Sequence, residues 1–100
     1  MPHYVPPENV ISPKSRWSIF KVLLDGGDGE HSIALGRWDN EPALAMRWNG
    51  DKDNALGNPQ SRGLPTWFIV PHKYHDAILD TLQKDKLLFA RTFLQEPDKK

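Results

Sequence analysis

Three glycines within five residues, Asp25-Gly26-Gly27-Asp28-Gly29, separate two apolar runs, and no other feature restricts the fold so much. Glycine reaches positive φ with no Cβ penalty, so the segment suits a hairpin turn. Before it, residues 17–24 (WSIFKVLL) set Trp17, Ile19, Lys21 and Leu23 against Ser18, Phe20, Val22 and Leu24. Their β-branched and aromatic content favours a strand with both faces partly covered. After the turn, residues 31–38 place Ile33 and Leu35 on one face and Ala34, Gly36 and Trp38 on the other, where small side chains leave room for another group to approach. Asp39-Asn40-Glu41-Pro42 makes a second tight connection. Residues 43–48 (ALAMRW) then put Leu44, Met46 and Trp48 on one side and Ala43, Ala45 and Arg47 on the other. Three consecutive antiparallel strands, a meander, follow from this order.

Residues 49–65 (NGDKDNALGNPQSRGLP) form a long polar connection rich in turn formers. Loops beyond about 12–15 residues are usually functional or mobile. This one is therefore expected to be mobile, to flank a ligand, and to be shortened without loss of the fold. Residues 66–70 (TWFIV) read as a short, nearly continuous apolar strand, and Pro71 suits the start of a helix. Tyr74, Ala77, Ile78 and Leu82 recur at helical spacing to at least Leu82. Residues 85–95 hold two periods, since Leu87, Phe89 and Phe93 alternate while Ala90 and Leu94 meet at i,i+4; helix is the expected form. Four of the nine prolines fall in residues 1–13, which read as an extended arm, with the folded part beginning near Arg16. A chain of 100 residues builds one core. The expected fold class is α+β, a curved four-stranded antiparallel sheet followed by a C-terminal helix (ββββα), with an arm over 1–15, one domain over 16–95 and a polar tail at 96–100.

Composition removes several classes of function. With no cysteine, disulfide scaffolds, zinc ribbons, thiol nucleophiles and iron–sulfur ligation are all excluded. Thirteen basic residues balance thirteen acidic ones, so nucleic-acid binding requires a local patch and stacking rather than a general polycation. No apolar run approaches the roughly 20 residues that cross a bilayer, and the beginning of the chain lacks the basic-then-apolar order of a secretory signal. A cytoplasmic location without membrane contact is expected.

The words Leu44-Ala45-Met46-Arg47-Trp48, a glycine-bearing polar loop ending Arg62-Gly63, a short apolar strand and Pro71 opening an amphipathic helix resemble the positive-cofactor-four transcriptional coactivators and their bacterial relatives. The resemblance covers about residues 17 to 82. The chain departs from that family's pattern in Ala45, where an aspartate would stand, in Trp48 directly after the arginine, in a longer loop before Arg62, and in lacking a serine- and lysine-rich N-terminal tail. The resemblance implies a ββββα protomer that dimerises through its helices and curves its sheets into channels for single-stranded nucleic acid.

One helix on a bent sheet leaves the other face in need of a reason if it displays aromatics. Single-strand binders use such aromatics as platforms for bases, with nearby cations for phosphates. Trp38 and Trp48 are the stacking candidates, because each ends a strand beside an arginine. Lys21, Arg37, Arg47, Lys52 and Arg62 are candidates for a basic track, with Arg62 closing over a phosphate; alternatively Asp39, Glu41, Asp51 and Asp53 neutralise them in surface pairs. Arg47 and Trp48, as strand neighbours, point to opposite sides, with Arg47 expected at the phosphate and Trp48 packed. His72 and His75 lie three apart, but H-x-x-H-D lacks the glutamate of a zinc-hydrolase helix, so a solvated or partly packed helix start is expected, with no metal. No serine has a nucleophile's local context, and neither catalysis nor a cofactor is expected. Two functions remain: a homodimeric module for single-stranded DNA or RNA, its dimer driven by the apolar surplus Leu79, Leu82, Leu87, Leu88, Phe89, Phe93 and Leu94, or a protein-interaction module without nucleic acid.

Overall fold

The computed structural model describes residues 4–95; the polar tail expected at 96–100 and the first three residues of the arm lie outside them. Strands β1 (Trp17–Asp25), β2 (His31–Trp38) and β3 (Glu41–Trp48) form the expected meander. Asp39 and Asn40 both take positive φ, 53° and 72°, so two residues close the β2–β3 hairpin and Trp38 pairs with Glu41. Asp and Asn tolerate that region because their short polar side chains bond locally. β3 therefore begins two residues earlier than the apolar pattern suggested. Within 49–65 the chain makes a small hairpin of its own, β4 (Gln60–Ser61) and β5 (Leu64–Pro65), before β6 (Phe68–Ile69) joins the main sheet beside β3. The sheet order is β1-β2-β3-β6, all antiparallel.

Pro71 precedes a 3₁₀ turn at His72–Tyr74, which runs into α1 (His75–Leu79). The helix does not reach Leu82. Thr81 and Leu82 close on Ile78 and Leu79 with short-range bonds, Gln83 turns extended, and α2 (Lys84–Leu94) starts afresh. That break lets both helices lie on the sheet, with Leu79, Ala90 and Phe93 over Leu23, Ile33, Leu35, Leu44 and Val70. The segment with two periods is thus helical. Its apolar surplus mostly turns inward: Leu82, Leu87 and Leu94 pack against the same cluster, leaving Leu88 and Phe89 exposed.

The opposite face is covered as well, by the segment read as an arm. Pro7 and Val10 are fully buried, so the folded part does not begin at Arg16. Val10 joins Trp17, Ala34, Ala43, Ala45 and Trp67 in a second apolar cluster. The Trp67 indole donates to the Val10 carbonyl at 2.7 Å, the Val5 amide donates to Ala55, and the Tyr4 hydroxyl donates to Asp25 at 3.0 Å. The benzo ring of Trp17 lies against Gly36, where a Cβ would stand 2.3 Å from it; the small residues of β2 make room for that indole.

β1 is the outer strand, and its pairing with β2 is interrupted by two register shifts, between Ile19 and Lys21 and between Val22 and Leu24. Bulges and an exposed edge lysine are means of discouraging strand addition. Among the described residues no helix is long and apolar enough to cross a membrane.

Candidate functional site

Counting back from the two-residue turn, β2 and β3 place His31 opposite Trp48 and Ile33 opposite Met46, all on the face that carries the helices. The helices cover Ile33 but leave the strand ends beyond it bare. Strand β6 adds Phe68 opposite Met46. Asn58 pairs with Trp48 through two backbone bonds, Trp48 N–H to Asn58 at 2.8 Å and Asn58 N–H to Trp48 at 3.1 Å, and so raises Asn58 and Pro59 as a wall. The result is a cleft of about 520 Å³ lined by His31, Met46, Arg47, Trp48, Asn58, Pro59 and Phe68. Trp48 is 57% exposed and Phe68 56%. The His31 ring meets Trp48 edge-on at 6.1 Å.

Arg47 is 3% exposed, which reverses the expected assignment of these two neighbours. Its guanidinium points to the arm side and donates to the carbonyls of Thr66 and Leu56, while Nε has no partner. Burial lowers its pKa, but an arginine stays protonated throughout. Gly57, at φ +66°, is required here, since a Cβ would sit 2.7 Å from the guanidinium and 2.2 Å from the Trp48 carbonyl. Arg47 is thus the post on which the 49–65 segment is hung, and it does not present its charge to solvent.

Asn49 is the second post. The Ser32 hydroxyl donates to its Oδ1 at 2.8 Å, and its Nδ2 donates to Gly27 at 2.8 Å and to Asp25 at 3.1 Å. Asn49 N–H also bonds Glu30, and Gly29 N–H bonds Gly50. The segment read as a mobile loop is therefore tied at both ends of its first half. These bonds bring the β1–β2 tip beside the loop that leaves Trp48, and together residues 25–30 and 49–54 carry Asp25, Asp28, Glu30, Asp51 and Asp53, all exposed, against the single cation Lys52.

The seven residues expected to bind nucleic acid do not converge. Trp48 opens on the cleft, Arg47 lines it but turns its guanidinium to the arm side, and Lys52 stands among the carboxylates beside it. Arg62 is exposed at the tip of the β4–β5 hairpin, where it and Gly63 take φ 54° and 79°. Trp38 is half-buried at the other end of β2 and on the other face, with Arg16 stacked over it at 4.7 Å. Arg16 in turn pairs with Asp39, which holds that carboxyl below its ordinary range. Lys21 and Arg37 lie by α2, over the rings of Phe89 at 5.9 Å and Phe93 at 4.9 Å. Phe20 stacks between those two phenylalanines, at 6.0 and 4.7 Å, so these ring faces are engaged within the chain.

His75 is buried and its Nε2 donates to the Val70 carbonyl at 3.0 Å, whereas His72 is exposed and stacks on it at 4.8 Å. Burial draws the His75 pKa below its ordinary value, with the Val70 carbonyl opposing. Among the described residues no group of three or more histidines and carboxylates stands close enough to hold a metal.

His31, Met46, Asn58, Pro59 and Phe68 were not among the site residues expected from the sequence. His31 was recoverable by counting from a two-residue turn at Asp39-Asn40. Phe68 was recoverable by period two within TWFIV, where a buried Trp67 demands an outward Phe68. No protein-family model, curated protein or solved structure matches the chain.

Proposed function

We propose that this chain is a protein-interaction module whose binding surface is the cleft between Trp48 and Phe68. The observation that carries the reading is two large aromatic rings held more than half exposed in a preformed apolar concavity, in a chain whose remaining core is covered on both faces. Contiguous exposed apolar surface of this kind marks partner sites, and aromatic and methionine side chains are enriched in them. Covering the exposed halves of both rings removes on the order of 200 Å² from water, about 5 kcal/mol gross. Association costs roughly 4–15 kcal/mol, so the cleft anchors a partner but needs contacts around it for a stable complex.

A second reading, a module for single-stranded nucleic acid, is favoured by one observation: Trp48 offers an open ring beside Phe68, as base stacking requires. The placement of charge supports it less, because Arg47 is turned inward and the loops beside the cleft are acidic. Self-association through the exposed Phe20, Leu88 and Phe89 is a separate proposal, tested by light scattering with Leu88→Glu.

The test is selection of a random dodecapeptide display library on the folded chain and on Trp48→Ser, with oligothymidine titrated in parallel at two salt concentrations. Apolar peptides enriched on the first and absent on the second are expected. Salt-sensitive quenching by oligothymidine without peptide enrichment would move the assignment to nucleic acid.

A further inference from the structure

From the charge around the cleft we infer the chemistry of its partner: an apolar anchor flanked by lysine or arginine. This rests on the interaction reading and specifies it. His31, which lines the cleft, is preceded by Glu30, and the β1–β2 tip with Asp25 and Asp28 is bonded to Asn49 and Gly50, immediately after the lining Trp48. Asp51 and Asp53 follow in the turn closed by the Asp51 and Asn54 backbone bonds. Five exposed carboxylates thus stand beside the cleft, Asp25 at the end of β1 and four in the two loops, with Lys52 the one exposed cation in those loops and Arg47 the one buried beneath.

This imbalance is local, because the whole chain is neutral. Cations stand elsewhere on the molecule, Lys21 and Arg37 beside α2 among them, while Arg16 beyond the far end of β2 is paired with Asp39. A partner entering the cleft therefore meets an apolar floor and a negative surround. Complementary charge sets selectivity and association rate more than the bulk of affinity, so the anchor holds and the flanks choose. A polyanionic strand, an acidic peptide and a second copy of this acidic end would each meet like charge there.

Three versions of one synthetic peptide test this, each carrying an apolar core taken from the library selection and flanked by lysines, serines or glutamates. Binding is read by fluorescence anisotropy at low and high salt, to the wild type and to the variant Asp28→Lys/Glu30→Lys/Asp53→Lys, whose three side chains are exposed. The expected result is lysine over glutamate by at least about tenfold at low salt. That preference shrinks in high salt and reverses in the triple variant. Equal affinity for the three peptides, or a preference the triple variant does not alter, overturns the inference while leaving the interaction reading in place. No library enrichment over Trp48→Ser removes both.

Discussion

At the scale of single residues, Arg47 is the strongest constraint on what substitution can do. Its two terminal nitrogens satisfy two carbonyls from different parts of the chain, Leu56 and Thr66. Arg47→Ala leaves both unpaired and opens a void, a loss of about 3 kcal/mol in urea unfolding. Arg47→Lys recovers little, because a point charge on a flexible stem cannot fork between two acceptors. Full stability in either variant would mean that the guanidinium is not the post described. His75 adds a pH dependence whose sign follows from its burial. A base whose folded pKa is depressed contributes fully above its unfolded value, near 6.5, and that contribution erodes as pH falls through this value toward the lower one. The denaturation midpoint is expected to drop between pH 7.5 and 5.5, and His75→Gln to flatten part of that slope. An identical slope in the variant contradicts the assignment.

At the scale of elements, the arm and the 49–65 segment behave as parts of the core. Deleting residues 4–11 strips Val10 and Val5 from the second cluster, removes the buried Pro7 and orphans the Trp67 indole, at a cost of about 3–5 kcal/mol. Near-native stability after that deletion, measured by thermal unfolding, would restore the arm as a linker. Replacing residues 51–61 by a tight turn removes the Leu56 and Ala55 carbonyls and the Asn58 bridge, so it destabilises the fold instead of leaving it intact. The meander was legible because its signals are local: glycines at one turn, Asp39-Asn40 at the other, and period two between them. The face assignments of β2 and β3 followed from the same alternation. The arm was not legible, because prolines without a period look alike in a linker and in a strap laid over a sheet. What distinguishes them is the hydrogen bond from Trp67 to Val10, 57 residues apart. Arg47 was misread for a related reason, since its burial depends on carbonyls brought back by a loop whose path no pattern specifies. The helix break at residues 80–83 has no proline or glycine to announce it; it comes from two apolar stripes needing the same sheet.

At the scale of the whole molecule, two apolar clusters, one on each face of a four-stranded sheet, hold the buried large side chains of the described residues, and the cleft at the end of β2 and β3 keeps the Trp48 and Phe68 rings open. Because Trp48 contributes little to either cluster, Trp48→Ser is expected to change stability by less than about 1 kcal/mol while abolishing peptide binding. That separation of stability from binding is what a partner site, as opposed to a core position, produces. The most direct test is a proton–nitrogen correlation spectrum, in which each of the four tryptophans gives one indole resonance and Trp48→Phe identifies that of Trp48. Titration with the lysine-flanked peptide is predicted to move the Trp48 indole together with the His31 and Phe68 amides, while the buried Trp17 and Trp67 indoles stay in place. A Trp48 indole that stays still under the peptide, or that moves instead with oligothymidine, would contradict the account.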